Sequence, residues 1–352
     1  MRNETDHVPG TSESPGASRH AILKTAILGC GGFAHRHAGN LVAQADKFEL
    51  VAFCDRHAER AQAFAGQYTA GRAAVFTDHR EMFDRADLDL CVICLPPYGH
   101  SDEVELAAAR GVHLLIEKPI ALTIEHAWRM VEAAEAAGIK TQVGFMFRFG
   151  AAVERLKELV VSGEVGPIGL MSARYFCNAL HAPWWRDRSK SGGQLVEQVI
   201  HMVDLMRYVM GDAATVYSLQ NNLFHRHMPD YTIEDVSGTV IGFKSGGIGV
   251  IYATNGAIPG RWINDYRAVA RGVTVEFSDA NHATFTYTAG LELRTETVAS
   301  DAGYHLRELL DLYTAIVEDR NTRTPIREGA RSLELALAAR QSAERGTVVT
   351  LR

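Results

Sequence analysis

Residues 21–40 read AILKTAILGCGGFAHRHAGN: a short apolar run stops abruptly in Gly29, Gly31 and Gly32 and passes into a helical pattern. Glycines packed this tightly after a strand serve either a plain tight turn or a phosphate group that must come close to bare backbone. Gly29-x-Gly31-Gly32-x-Ala34 matches the G-x-G-x-x-G/A pattern of the second case. There Gly29 allows the turn, Gly31 admits the phosphate and Ala34 keeps the helix close to the strand. Phe33 lies inside the same loop, and the first N–H groups of the helix face the anion.

The pattern outward from this stretch decides between the two. Short apolar runs recur at 22–28, 48–54, 89–95, 112–116 and 139–144, separated by helical patterns such as HAERAQAFAGQY, HSDEVELAAARG and TIEHAWRMVEAAEAAG. Gly138 closes the last of these as a C′ residue. Runs that are apolar throughout suit strands covered on both faces. Their alternation with helices implies right-handed crossovers and a doubly wound parallel sheet. The second strand, FELVAFC, ends at Asp55, 21 residues beyond Ala34, where an acid takes ribose hydroxyls. Strand, loop, helix, strand and acid in this order point to a bound dinucleotide. Asp55 repels a 2′-phosphate and so favours NAD over NADP, whereas Arg56 could accept that phosphate, so NADP stays open. Asp55 can also serve as the N-cap of the following helix.

After about residue 150 the texture changes. A helix at 151–163 leads into IGLMSARYFC, ATVYSLQNN, DVSGTVIGF, GIGVIYATN and RGVTVEFSD, with FKSGGIG as a hairpin signal, and two helices follow near 303–319 and 328–345. The expected fold is α/β: a parallel, doubly wound dinucleotide-binding sheet over 21–144, then an α+β unit over 145–352 with a large, mostly antiparallel open sheet. Residues 1–20, polar and rich in Ser, Pro and Gly, read as a disordered tail without the apolar core of a signal peptide.

Composition narrows the function. The 352 residues are 47% apolar and 22% charged, with a formal charge of −6 and no basic stripe, which argues against nucleic acid as a partner. No apolar run approaches the roughly 20 residues that span a bilayer, and the expected compartment is the cytoplasm. Cys91 and Cys94 have CxxC spacing but sit inside DLCVICLPP, a buried strand whose i and i+3 positions face opposite ways. They read as core rather than as a zinc site, and the alternating His225 and His227 make a poor metal pair. No metal is expected.

Two further stretches carry chemistry. The fifth strand ends in HLLIEKPIAL, which puts Glu117 and Lys118 at the carboxyl end of a parallel strand, where such sheets bind ligands. In SGGQLVEQVIHMVDLMRYVMG, an α-helical wheel places Glu197, His201, Asp204 and Tyr208 within an arc of about 60°. Leu195, Val199, Met202, Val203, Met206, Val209 and Met210 fill the other side. A solvated stripe is the plain reading. However, His201 has the pKa range of an acid/base group, and Glu197 stands one turn before it. Trp184, Trp185 and Arg186 just upstream suit a sugar ring and its hydroxyls.

These motifs in this order, together with LPPYGH, GVHLLIEKP, VGFMFRF and GARSLELALAARQSAERG, resemble the Gfo/Idh/MocA oxidoreductases, the group containing glucose–fructose oxidoreductase and inositol dehydrogenases. The resemblance covers nearly everything after the tail. It implies NAD(P), a sugar or polyol substrate oxidised at a secondary hydroxyl, and a homodimer or homotetramer formed through the open sheet. It makes Lys118 the active-site lysine and His201 and Glu197 its catalytic companions. It puts Glu117 beside the nicotinamide, Leu95, Pro96 and His100 in the loop approaching the cofactor, and Arg148 in the lining of the substrate site. Trp185 and Arg186 join that lining as the residue-based reading has them. Glu197 departs from the family's commoner Asp, and Val199 from a frequent Gly. Three rivals carry over: a redox-neutral enzyme that cleaves or epimerises a sugar through transient oxidation by bound NAD, a non-catalytic sugar or nucleotide sensor, and reduction of an imine or enone.

Overall fold

The computed structural model describes residues 22–351, so the expected tail lies outside the described residues. The first sheet contains β1 (Leu23–Leu28), β2 (Phe48–Cys54), β3 (Ala74–Phe76), β4 (Leu90–Ile93), β5 (His113–Ile116) and β6 (Thr141–Val143). Its order is β3-β2-β1-β4-β5-β6, with every pairing parallel. Helices α1 (Ala34–Ala43), α2 (Ala58–Thr69), α3 (His79–Arg85), α4 (Glu103–Ala109) and α5 (Ile124–Ala137) connect the strands. The order reverses between β1 and β4, which opens the crevice where doubly wound sheets bind nucleotides. Five strands fall on the apolar runs of the sequence. The sixth, β3, is a three-residue edge strand with two exposed positions, too short and too wet to stand out. Gly138 caps α5 in the left-handed conformation (φ 68°), as its position suggested. Cys91 packs on one face of the first sheet and Cys94 on the other, both are free thiols, and burial pushes both pKa values up.

Helix α6 (Ala151–Val161) leads to the second sheet: β7 (Ile168–Phe176), β8 (Ala213–Asn221), β9 (Val236–Phe243), β10 (Ile248–Thr254), β11 (Tyr266–Ala270), β12 (Val273–Phe277), β13 (Ala283–Tyr287), β14 (Arg294–Val298) and β15 (Val349–Thr350). The order is β14-β13-β12-β11-β7-β10-β9-β8-β15, antiparallel except between β7 and β10. FKSGGIG is the β9–β10 hairpin, where Phe243 N–H reaches the Gly247 carbonyl at 2.9 Å and Gly246 takes φ 87°. The sequence reading missed β11, β13, β14 and β15. β14 is RTETV with no buried position, so it has no apolar alternation to read.

Between β7 and β8 lie two short helices, α7 (Pro183–Arg186) and α8 (Arg188–Ser191), then a π-helical turn over Leu195–Val199 that runs into α9 (Ile200–Met210). Val196 and Ile200 join the core of the first sheet, whereas Met202, Val203, Met206 and Val209 join that of the second. The helix therefore spans both layers. Helix α10 (Tyr304–Val317) returns Leu309, Leu312 and Tyr313 to the first sheet, and α11 (Ile326–Arg345) packs on both. The segment before α11 is bonded to β6, with Val143 N–H to the Thr324 carbonyl at 2.8 Å. These contacts fix the carboxyl ends of β4, β5 and β6 against the start of α9. Among the described residues no helix is long and apolar enough to cross a membrane.

Candidate active site

Gly29 has φ 91°, and a Cβ there would lie 2.6 Å from the Cys94 carbonyl oxygen. Backbone conformation and the approach of β4 each demand glycine at this position. A Cβ on Gly31 or Gly32 would meet nothing within 4 Å, so the loop is bare on its outer side. Asp55, at the end of β2, accepts from Cys30 N–H and His57 N–H, both at 2.9 Å. It clamps the glycine loop to the next turn. The N-cap of α2 is His57, so the N-cap role considered for Asp55 does not hold in that form. Arg56 is exposed, with its Nε 3.2 Å from His57 Nε2. Bare loop, helix start and acid stand together at the switch point of the sheet, and these residues fit a dinucleotide.

The opposite wall comes from the other strand ends. Glu117 hydrogen-bonds His37 Nε2 at 2.7 Å, and a Cβ on Gly144 would lie 2.7 Å from its Oε2. Phe33 is 45% exposed and meets the His37 ring edge-on at 5.4 Å. Leu95 lies against Gly29, and Leu95 and Pro96 are half-buried. His100 keeps a buried Nε2 without a hydrogen-bond partner. Its side chain is fully enclosed, with Nδ1 bonded to Glu103 at 2.6 Å. Burial alone would raise the Glu103 carboxyl, but the hydrogen bond and charge of His100 with the Ser101 N–H bring it down to about 2. The pair ties the loop to α4 through Nδ1.

Lys118 follows β5 and reaches the π-helical turn. Its Nζ donates to the Glu197 carbonyl at 2.6 Å and lies 3.3 Å from Glu197 Oε1. The other Glu197 oxygen accepts Trp185 Nε1–H at 2.7 Å. Glu234 fixes the entry to this turn. It accepts Leu195 N–H at 2.7 Å, and a Cβ on Gly193 (φ 108°) would lie 2.5 Å from its Oε2. The wide turn breaks the α-helical wheel read from the sequence over 195–199, and π-turns of this kind recur at functional sites. His201 lies in the first turn of the regular helix. Its ring packs against Phe147 at 5.2 Å and Phe145 at 6.3 Å, and its buried Nδ1 has no hydrogen-bond partner. Burial, then the charges of Lys118 and His305, hold its pKa well below 6.5. A neutral imidazole beside an ammonium can accept a proton from a hydroxyl.

Arg148 is not in the substrate lining. It is 2% exposed, and its Nε and Nη2 donate to the two oxygens of Asp204 at 2.7 and 2.6 Å. Glu328 takes Nη2 as well, at 3.0 Å. This fork-to-fork pair spends the donors that a substrate would need. Trp185 is 2% exposed, so its faces are closed to a sugar ring and only its N–H reaches the site, through Glu197. Arg186 pairs with Asp230 at 3.2 Å, and its buried Nε has no partner. Trp184 is half-buried, 6.0 Å from the Tyr98 ring. His225 bonds Asp235 at 3.0 Å and stacks on Tyr231. Among the described residues no cluster of three His, Cys, Asp or Glu is placed to hold a metal.

Residues 23–145 match the family described as "Oxidoreductase family, NAD-binding Rossmann fold", and residues 153–293 match "GFO/IDH/MocA C-terminal domain". The chain belongs to the Gfo/Idh/MocA oxidoreductase family. Its first sheet is thus an NAD-binding Rossmann domain. The D-glucoside 3-dehydrogenase of Escherichia coli is 30% identical over 243 residues, 64% of this chain and 68% of the relative. The scyllo-inositol 2-dehydrogenase (NAD⁺) of Bacillus subtilis is 28% identical over 94% of this chain and 96% of its own length. A levoglucosan dehydrogenase solved with NADH shares the fold, with a TM-score of 0.86 at 20% identity over 94% of this chain and 100% of that one.

Within this Gfo/Idh/MocA site the sequence reading missed one residue close to Glu197. His181 takes a left-handed conformation (φ 52°), its ring 4.4 Å from Trp185 and its Nε2 3.0 Å from Gln198 Nε2. Removal of the ring from water lowers its pKa most; Glu197 opposes this and Lys118 adds to it. A lone histidine in the loop CNALHAPWW, 16 residues before Glu197, gave no signal of this in the sequence.

Proposed function

We propose that the protein oxidises a secondary hydroxyl of a sugar, sugar derivative or cyclic polyol by hydride transfer to NAD. The observation that carries this reading is Lys118, at the carboxyl end of the Rossmann sheet, bonded to the turn that leads into the buried, neutral His201, whose titration feels the Lys118 charge. Gly29, Gly31, Gly32, Phe33, Ala34 and Asp55 hold the dinucleotide, with Leu95, Pro96 and Glu117 on its other side. NAD, when bound there, supplies the hydride acceptor. His201 takes the hydroxyl proton, and Lys118 stabilises the alkoxide as negative charge develops. Glu197 orients Lys118 and hydrogen-bonds the substrate, and Trp185 holds Glu197 in place. The Asp55 carboxylate favours NAD over NADP, and exposed Arg56 is the residue through which NADP would be admitted. The names of the glucoside and inositol dehydrogenases support the substrate class.

We take residues 21–144 as the nucleotide unit and 145–352 as the substrate and oligomerisation unit. The outer face of the second sheet exposes Leu170, Tyr217, Leu219, Val240, Ile248 and Tyr252. A contiguous apolar face of this kind supports a homodimer or homotetramer, which sedimentation would measure.

The test is NADH formation from NAD⁺ across polyols, free sugars, sugar acids and glycosides, with Lys118→Ala beside the wild type. Turnover falls by about two to four orders of magnitude in the variant while NAD binding persists. Undiminished turnover removes Lys118 from the mechanism. Silence of the wild type across the panel, with NAD bound, overturns the dehydrogenase reading in favour of redox-neutral chemistry or a sensor.

A further inference from the structure

Glu197 sits inside a ring of aromatic side chains whose outer members are open to solvent. Trp185 and His181 form its inner part, and the His181 ring lies 6.0 Å from Trp262. The buried Tyr175 hydroxyl faces the Trp262 indole and feels the charge of Glu197. The segment carrying Trp262 runs beside the one carrying His181. Asn178 Nδ2 donates to the Ala257 carbonyl at 2.8 Å, Ala257 N–H reaches the Cys177 carbonyl at 3.1 Å, and Phe176 bridges to Ile263. Phe224 lies on the same segment, for a Cβ on Gly256 would be 2.2 Å from its ring. Leu180, Phe224, Ile258 and Trp262 are 41, 50, 46 and 50% exposed. The site is therefore polar at Lys118, Glu197 and His201 and becomes apolar as it opens outward.

We propose that the rim formed by Trp262, His181 and Phe224 is an aglycone subsite, and that the preferred substrate is a glycoside carrying an aromatic group rather than a free sugar or polyol. This rests on the reading of Lys118 and His201 as the reacting end. A free sugar or polyol has hydroxyls on every side and is fully served by the polar end. An aryl group joined to the sugar has a flat apolar face that matches the exposed indole and phenyl rings. The rim starts at Glu197, so a substrate held there by its hydroxyls projects its next group onto it.

The experiment is calorimetric titration of the NADH-loaded protein with matched methyl and 4-nitrophenyl β-glycosides of glucose, galactose and xylose, repeated on Trp262→Ala and Trp262→Phe. Sedimentation of each variant accompanies it. In at least one pair the aryl glycoside binds about tenfold tighter. That advantage disappears in Trp262→Ala and largely survives in Trp262→Phe. Equal affinities within every wild-type pair, no glycoside binding at all, or an unchanged advantage in Trp262→Ala each overturn the subsite. So does a change of assembly mass in Trp262→Ala with the ratio intact, which assigns the rim to a second copy of the chain. Binding requires no turnover. Aryl preference without NADH formation therefore refutes the dehydrogenase reading alone, and NADH formation without aryl preference refutes the subsite alone.

Discussion

Two polar clusters lie on one helix, about two turns apart, and have opposite fates. At the first, Glu197 receives Lys118 and Trp185, the Lys118 and Glu197 side chains remain 13 and 14% exposed, and His201 next to them keeps a nitrogen without a partner. At the second, Asp204 receives two donors from Arg148 and a third from Ser332 Oγ at 2.9 Å, with both members of the pair at 3% exposure or less. Both clusters come from the same polar stripe of the sequence. What separates them is the bonding capacity that remains after the fold has taken its share. The first keeps proton acceptors and an ammonium within reach of a ligand, and the second is closed.

The largest effect expected of this difference is on stability. Asp204→Ala leaves the Arg148 guanidinium buried with half its partners gone, which costs about 3–5 kcal/mol. Denaturant unfolding should show that loss, and a change below about 1 kcal/mol would mean that the second cluster is as dispensable as a surface pair.

His201→Asn should do the reverse. It lowers kcat by about two to four orders of magnitude and largely preserves the unfolding midpoint. The wild-type pH profile sharpens the contrast. Burial, Lys118 and His305 depress the His201 pKa well below 6.5, so its neutral form persists on the acid side of that value. The acid limb of kcat/KM therefore falls below pH 6.5. An unfolded chain takes up that proton near 6.5 and the folded one only at lower pH. The stability contributed by neutral His201 is thus fully present above 6.5 and is lost as pH falls from there toward the folded value. An acid limb at or above 6.5 would remove His201 as the base.

The sequence carried the first sheet well, because strands covered on both faces are written as unbroken apolar runs. It carried the second less well, because β14 buries nothing and so shows no apolar alternation. At the site, the glycine loop, Asp55, Lys118 and Glu197 stood at local landmarks, a strand end or a helix start. Arg148 was misread because its partners lie 56 and 180 residues away along the chain. The same GF..R segment suits a substrate wall or a buried pair, and only the tertiary position of Asp204 distinguishes them. Trp185 was misread for the same reason: an aromatic residue beside a site suggests a stacking face, whereas the fold buries the face and uses the N–H.

Trp185→Phe tests that last distinction and carries the smallest effect. Phenylalanine retains most of the packing against Tyr231 and Ile233 but has no donor for Glu197. Glu197 keeps Lys118 and some access to water, so the loss approaches that of an ordinary hydrogen bond, about 0.5–1.5 kcal/mol, or roughly two- to tenfold in kcat/KM. If Trp185 positions Glu197 for the hydroxyls of the substrate, the loss appears mainly in KM. The acid limb, set by His201, stays where it is. If instead the face of Trp185 bound the sugar, phenylalanine would supply a face of its own and KM would hardly move. A rise in KM with the acid limb unmoved keeps Trp185 with the first cluster as the residue that aims it. A fall in the unfolding midpoint as large as that of Asp204→Ala, with KM unchanged, would place it with the second.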